Sequence, residues 1–159
     1  MMVFITLGSQ KFQFNRLLKA IDDQIAEGKI NENFFAQIGA SDYTPKHFKY
    51  KRFLDRDEFS SWNDKADIVI THGGTGAIIG AVKKGKKVIA VPRLSRYGEH
   101  VDDHQLQLIG QFKNLNLIYA CYDCDDIWKA INEVKKTEYN TYESNTDRII
   151  SSIVEFIEE

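Results

Sequence analysis

The stretch ADIVITHGGTGAIIGAVKKGKKVIAVP, residues 66–92, decides how this chain folds. Its apolar run at 68–71 breaks into His72-Gly73-Gly74-Thr75-Gly76, resumes with a helical pattern over about 76–84, and closes in a second apolar run at 88–91. Runs that are apolar throughout suit strands covered on both faces, and a helix between two such strands makes them parallel.

The same alternation extends in both directions. Residues 3–7 read as a strand, followed by Gly8-Ser9 and by Phe14, Leu17, Leu18, Ile21 and Ile25 at helical spacing. Residues 34–38 and about 50–53 read as two further short strands, with Gly39 and Pro45 marking the loop between them. Phe59 and Trp62 suit a short helix. Beyond position 92, a helix over 102–112, an edge strand at 117–120 and a helix over 125–135 are expected. A last helix from about Asp147 would present Ile150, Ile153, Val154 and Ile157 as one stripe. That stripe suits either this chain's own sheet or a partner's surface. The polar segment KKTEYNTYESNT before it reads as a mobile loop. Strands alternating with helices through short connections predict a Rossmann-like α/β domain over 1–159, a mostly parallel sheet with helices on both faces. Ligands of such sheets bind beyond the carboxyl ends of the strands, where Gly8-Ser9 and the His72–Gly76 turn should share one rim.

Composition narrows the partners. Lys and Arg number 21 against 23 Asp and Glu, so the overall field offers no basis for nucleic-acid binding. The N-terminus lacks a basic leader, and no stretch approaches the roughly 18 apolar residues of a membrane span, so the chain reads as soluble and cytoplasmic. Cys121 and Cys124 form CYDC, but no second ligand pair accompanies them, and Asp123, Asp125 and Asp126 disfavour thiolates. They read as reduced structural thiols. His100 and His104 are four apart, yet Gly98 places the helix start near Asp102, and no zincin glutamate follows His100, so no metal site is assigned. The basic set Lys83, Lys84, Lys86, Lys87, Arg93 and Arg96 reads as a solvated face. Arg93 and Arg96, after Pro92, are also candidates to meet a lipid diphosphate or anionic head groups.

Glycines 73, 74 and 76 let backbone N–H groups approach a ligand, and the helix that follows adds its positive end. The His72 ring and the Thr75 hydroxyl are further donors, so the segment suits a diphosphate. It matches neither the G-x-x-x-x-G-K-[ST] phosphate loop nor the G-x-G-x-x-G fingerprint. By itself it serves equally as a tight strand-to-helix turn capped by His72.

Read together, THGGTGAIIGAVKKGKKVIAVPRLSRYGEHVDDHQLQLI resembles the donor-nucleotide half of GT-B glycosyltransferases, particularly family 28. The elements are the turn at 72–76, Gly85-Lys86-Lys87, a strand ending at Pro92, and His104-Gln105. FITLGSQKFQFNRLLKAID is similar to the family's first strand, Gly-Ser loop and helix. The resemblance is closest to short members: the soluble subunit of the dolichol-linked GlcNAc transferase and bacterial capsule or exopolysaccharide subunits paired with a membrane protein. It implies that Gly8 and Ser9 border a UDP-sugar, that His72, Gly73, Gly74, Thr75 and Gly76 surround its diphosphate, and that Gln105, with His104 beside it, faces the sugar hydroxyls. It implies an inverting transfer to a lipid-linked acceptor with no metal or cofactor. A membrane-anchored partner would supply the acceptor half and hold the chain at the inner face of the membrane. Many relatives carry an acidic residue for the ribose where this chain has Gly80, so the uridine preference rests on the likeness alone. No catalytic base is assigned; Glu99 and His104 are the candidates within the chain. The alternatives are a non-catalytic enhancer subunit and another nucleotide-dependent enzyme, an epimerase or a dehydrogenase.

Overall fold

The computed structural model describes residues 1–143, 148, 149, 151, 152, 154 and 155. Six strands form one sheet: β1 (Met2–Thr6), β2 (Asn33–Gln37), β3 (Lys49–Lys51), β4 (Ile68–His72), β5 (Lys87–Val91) and β6 (Tyr119–Ala120). The spatial order is β3-β2-β1-β4-β5-β6 and every pairing is parallel. The chain therefore runs outward from β1 to β3, returns to the middle at β4, and runs outward again. The crevice between the carboxyl ends of β1 and β4 lies where the strand order reverses, the place where sheets of this kind bind ligands.

Helices α1 (Asn15–Ala26), α2 (Arg56–Lys65), α3 (Thr75–Lys83), α4 (His104–Asn114) and α5 (Ile127–Lys136) connect the strands. Val3, Ile5 and Leu7 pack with Leu17, Leu18 and Ile21 of α1 and with Ile127, Ile131 and Val134 of α5. Phe4, Val69, Val88 and Ala90 face the other side, against Ile78 and Val82 of α3 and Ile109 and Phe112 of α4. The two-residue period of the strands thus divides the apolar side chains between two cores. On the second side, Phe35 stacks on Trp62 of α2 at 3.9 Å between ring centroids, and Phe4 meets Phe59 edge-on at 5.4 Å.

The expected order of strands and helices is present in the described residues, with shifted ends. Strand β3 occupies 49–51 rather than 50–53, β6 only 119–120, and α4 begins at His104 rather than Asp102. His100 consequently precedes the helix, and the two histidines do not share a helical face. The polar segment after α5 is tied down where it is described. Asn140 donates from its backbone to Asn116 and from its side chain to the Leu115 carbonyl, 2.9 and 2.8 Å, and Asn116 reaches the Glu138 carbonyl. Residues Asp147, Ile150, Ile153 and Ile157 of the expected C-terminal stripe lie outside the described residues, whereas Val154 packs on the second core. No helix among the described residues is long and apolar enough to cross a membrane.

Candidate functional site

Strand β4 is buried as far as Thr71 and ends at His72, from which Gly73 and Gly74 lead into α3. Gly74 is the N-cap and supplies no side chain to the first turn, which also contains no acidic residue. The helix end is therefore left with free N–H groups and uncompensated positive potential. Thr75 and Gly76 form that first turn at the rim.

Two of the glycines make room for the protein's own side chains. A Cβ on Gly74 would lie 2.2 Å from His72 Cε1, and one on Gly73 would lie 2.7 Å from Gln105 Cβ. At Gly76, by contrast, a Cβ would meet nothing within 4 Å, so this position leaves space open to an incoming group. Gly8 is required twice over. Its φ is +75°, and a Cβ there would lie 3.0 Å from His72 Nε2. The first Gly-Ser loop and the β4 turn are thereby brought face to face, as the shared rim required.

His72 is set by Gln105. The Gln105 amide is buried, with Oε1 accepting from Gly73 N at 2.9 Å and from Arg93 N at 3.0 Å, and Nε2 lying 3.2 Å from His72 Nδ1. One Nε2 hydrogen is left over. Burial, reinforced by the charge of Arg93 and by His100, lowers His72 to about 3, so the ring is neutral at physiological pH. His104, at the start of α4, is half-buried beside Gln105.

Arg93 is not available to a phosphate. It is 2% exposed, and its guanidinium donates to the carbonyls of Leu7, Phe12 and Gln13. The expectation that it meets lipid phosphate is corrected by this burial: the charge braces the loop after β1 against the loop after β5. Glu99 is likewise removed from the candidate bases. It is fully buried, receives Arg16 Nε at 3.0 Å and Nη2 at 3.0 Å, and also accepts from Leu94 N. Arg96 remains exposed, its guanidinium 4.9 Å from the Tyr97 ring. The lysine run is partly engaged as well: Lys84 reaches Asp64, and Lys86 reaches the carbonyls of Asp64 and Ala66. Cys121 and Cys124 are buried and pushed up to about 12 by that burial, which keeps both as thiols.

Beside the turn lies an open cavity of about 430 Å³ that includes Gly8, Ser9, Gly76 and Gly80 in its walls. Leu54 and Phe59 give it an apolar side, Thr6, Gln37 and Asn63 line it with uncharged polar groups, and Asp55 and Arg56 at the start of α2 add one charge of each sign. Thr6 Oγ1 donates to Gln37 Oε1 at 3.0 Å, an in-register pair across β1 and β2. Sequence reasoning missed these residues. The signal was a polar residue closing an apolar run, Thr6 on β1 and Gln37 on β2, and both are buried.

The six-stranded parallel sheet with helices on both faces defines a Rossmann-like domain with the fold of one half of a GT-B glycosyltransferase. The chain belongs to glycosyltransferase family 28: the description "Glycosyltransferase family 28 C-terminal domain" matches residues 2–159. It is 27% identical over 128 residues to the UDP-N-acetylglucosamine transferase subunit ALG13 of Homo sapiens, an alignment covering 75% of this chain and 11% of that protein. The chain thus spans about a tenth of that relative's length. Among solved structures, the glycosyltransferase of kitacinnamycin superposes with a TM-score of 0.62 at 15% identity, covering 99% of this chain and 39% of the other. The solution structure of ALG13 gives a TM-score of 0.59 at 17% identity, covering 93% and 94% of the two chains. At these identities the structural likeness speaks for the fold.

Proposed function

We propose that this chain binds a UDP-sugar and forms the donor half of an inverting glycosyltransferase. The observation that carries the reading is the β4 turn: a neutral His72 facing Gly8 beside the uncapped start of α3. A diphosphate set there would meet N–H donors and a helix end with no carboxylate in the first turn. The adjoining cavity, with one apolar wall, uncharged polar groups and the opposite charges of Asp55 and Arg56, suits a nucleoside. The remaining Nε2 hydrogen of Gln105, with His104 beside it, would serve a hydroxyl of the transferred sugar.

In the transfer, an acceptor hydroxyl oxygen bonds to the anomeric carbon from the face opposite the diphosphate. The bond from that carbon to the diphosphate oxygen breaks, UDP leaves with the electron pair, and the hydroxyl proton passes to a base. Negative charge grows on the leaving diphosphate, and donors already in place stabilise it without reorganisation; losing one such donor typically costs roughly 10²- to 10³-fold in rate. The turn gives this stabilisation through neutral groups and the helix end, so the reading calls for no metal or cofactor. With Glu99 locked against Arg16, the base is left to His104 or to a group on the acceptor side.

The acceptor is a lipid-linked sugar in capsule or exopolysaccharide synthesis, and a membrane-anchored partner supplies the second half of the cleft. The ALG13 relatives, named as subunits of a UDP-N-acetylglucosamine transferase, support this division of labour. The chain would then sit in the cytoplasm at the inner face of the membrane, held there by the partner. The test is transfer. Alone, the chain should transfer almost nothing to a lipid-linked acceptor; co-expressed with the membrane protein it pairs with, it should transfer robustly. Full activity of the isolated chain would refute the partner, and no turnover with the partner present would instead favour a non-catalytic enhancer subunit.

A further inference from the structure

The geometry points to Gln105 as the residue that decides which nitrogen of His72 carries hydrogen, and so makes His72 a donor toward the Gly8 side of the rim. Its bearing on UDP rests on the donor-binding reading above. The Gln105 atom between Gly73 N and Arg93 N, at 2.9 and 3.0 Å, faces two backbone N–H groups that can only donate. It must be the carbonyl oxygen, because the flipped amide would aim an NH₂ group at two N–H groups. The opposite atom is therefore Nε2, which can only donate, and it faces His72 Nδ1 at 3.2 Å. His72 Nδ1 must keep its lone pair, and the ring hydrogen resides on Nε2.

The location of that hydrogen has a consequence because the ring is neutral. Burial and the charge of Arg93 hold His72 near 3, so it carries one ring hydrogen and cannot donate from both nitrogens. Nε2 faces Gly8, which has no Cβ to occupy the space. In the other tautomer the same nitrogen would turn a lone pair toward an anionic ligand. The two N–H groups that orient Gln105 come from the turn after β4 and from the loop after β5. Arg93, which supplies one of them, also grips the Leu7 carbonyl just before Gly8. Both walls around His72 Nε2 are thus tied to one amide. Gln105 is a positioning residue: it acts on a bound diphosphate through His72.

The experiment is a long-range ¹H–¹⁵N spectrum of the histidine rings in the labelled, ligand-free chain near neutral pH. The chain has four histidines, and the His72 signals are those lost in His72→Asn. The expected result is Nε2 at the frequency of a protonated ring nitrogen and Nδ1 at that of an unprotonated one. The reverse assignment, or averaged values for both, would overturn the proposal without recourse to any Gln105 variant. Gln105→Leu keeps the volume and removes the amide. It should move both His72 nitrogens toward averaged values and weaken UDP binding about tenfold, the scale of one hydrogen bond to a charged group. A Gln105→Leu protein whose His72 remains wholly in the Nε2–H form would also overturn it. If the wild type shows the locked tautomer, Gln105→Leu releases it, and neither protein binds UDP, the donor reading fails while the positioning role stands.

Discussion

At the scale of single residues, His72 gives a pH signature. Its folded value of about 3 lies below the ordinary histidine value near 6.5, so between these limits the unfolded chain binds more protons than the folded one. Its contribution to stability is complete above about pH 6.5 and is lost as the pH falls toward 3. Acid titration of thermal stability should show a component that is missing in His72→Asn; superimposable profiles for the two proteins would count against the buried neutral ring. Gly74→Ala brings a Cβ to within 2.2 Å of His72 Cε1 and should displace the ring. UDP affinity should then fall about as far as in His72→Asn, with little further loss in the double variant, since both changes remove the same donor. Additive losses would place Gly74 and His72 in separate roles. The turn itself was legible because a polar, glycine-rich break interrupts an apolar run. The use of Gly73 was not, because the side chain it accommodates, Gln105, is 32 positions away. Arg93 misled for a related reason: a charged residue after a strand looks exposed until the loop carbonyls that surround it are known.

At the scale of elements, two buried charged groups organise the loops that the strands leave behind. Asp22, on α1, accepts from the Tyr43 hydroxyl at 2.7 Å, from Lys46 N and His47 N at 2.9 and 2.8 Å, and from His47 Nδ1. These bonds outweigh its burial and hold its carboxyl below the usual range. Asp22→Asn should cost about 2 kcal/mol in denaturant unfolding, the scale of hydrogen bonds to a charge. Arg93→Met would leave the carbonyls of Leu7, Phe12 and Gln13 without their buried donor and should cost about 3 kcal/mol. Effects below about 0.5 kcal/mol in either variant would contradict the bracing role. The elements were legible from periodicity, since β4 and β5 are buried stretches of apolar residues and α1 shows its apolar positions three and four apart. The edges were less so. Strand β3 is the exposed segment Lys49-Tyr50-Lys51, placed by its pairing with β2, which sequence alone does not display.

At the scale of the whole molecule, alternation of strands and helices announced a parallel sheet but left its order open. That order depends on where the chain crosses back, between β3 and β4, and it is this crossing that sets Gly8 opposite His72 and opens the cavity beside them. The residues of the turn could be read locally, whereas the cavity walls from β2 and α2 required the assembled sheet. The donor-binding role requires that this rim hold a uridine nucleotide. Titration calorimetry of the chain against UDP-, GDP- and dTDP-sugars, in the wild type and in His72→Asn, tests it directly. A UDP-sugar should bind more tightly than its GDP and dTDP counterparts, with a loss of about tenfold in the variant, close to 1.4 kcal/mol. Absence of binding by every UDP-sugar, or an affinity that His72→Asn leaves unchanged, would contradict it.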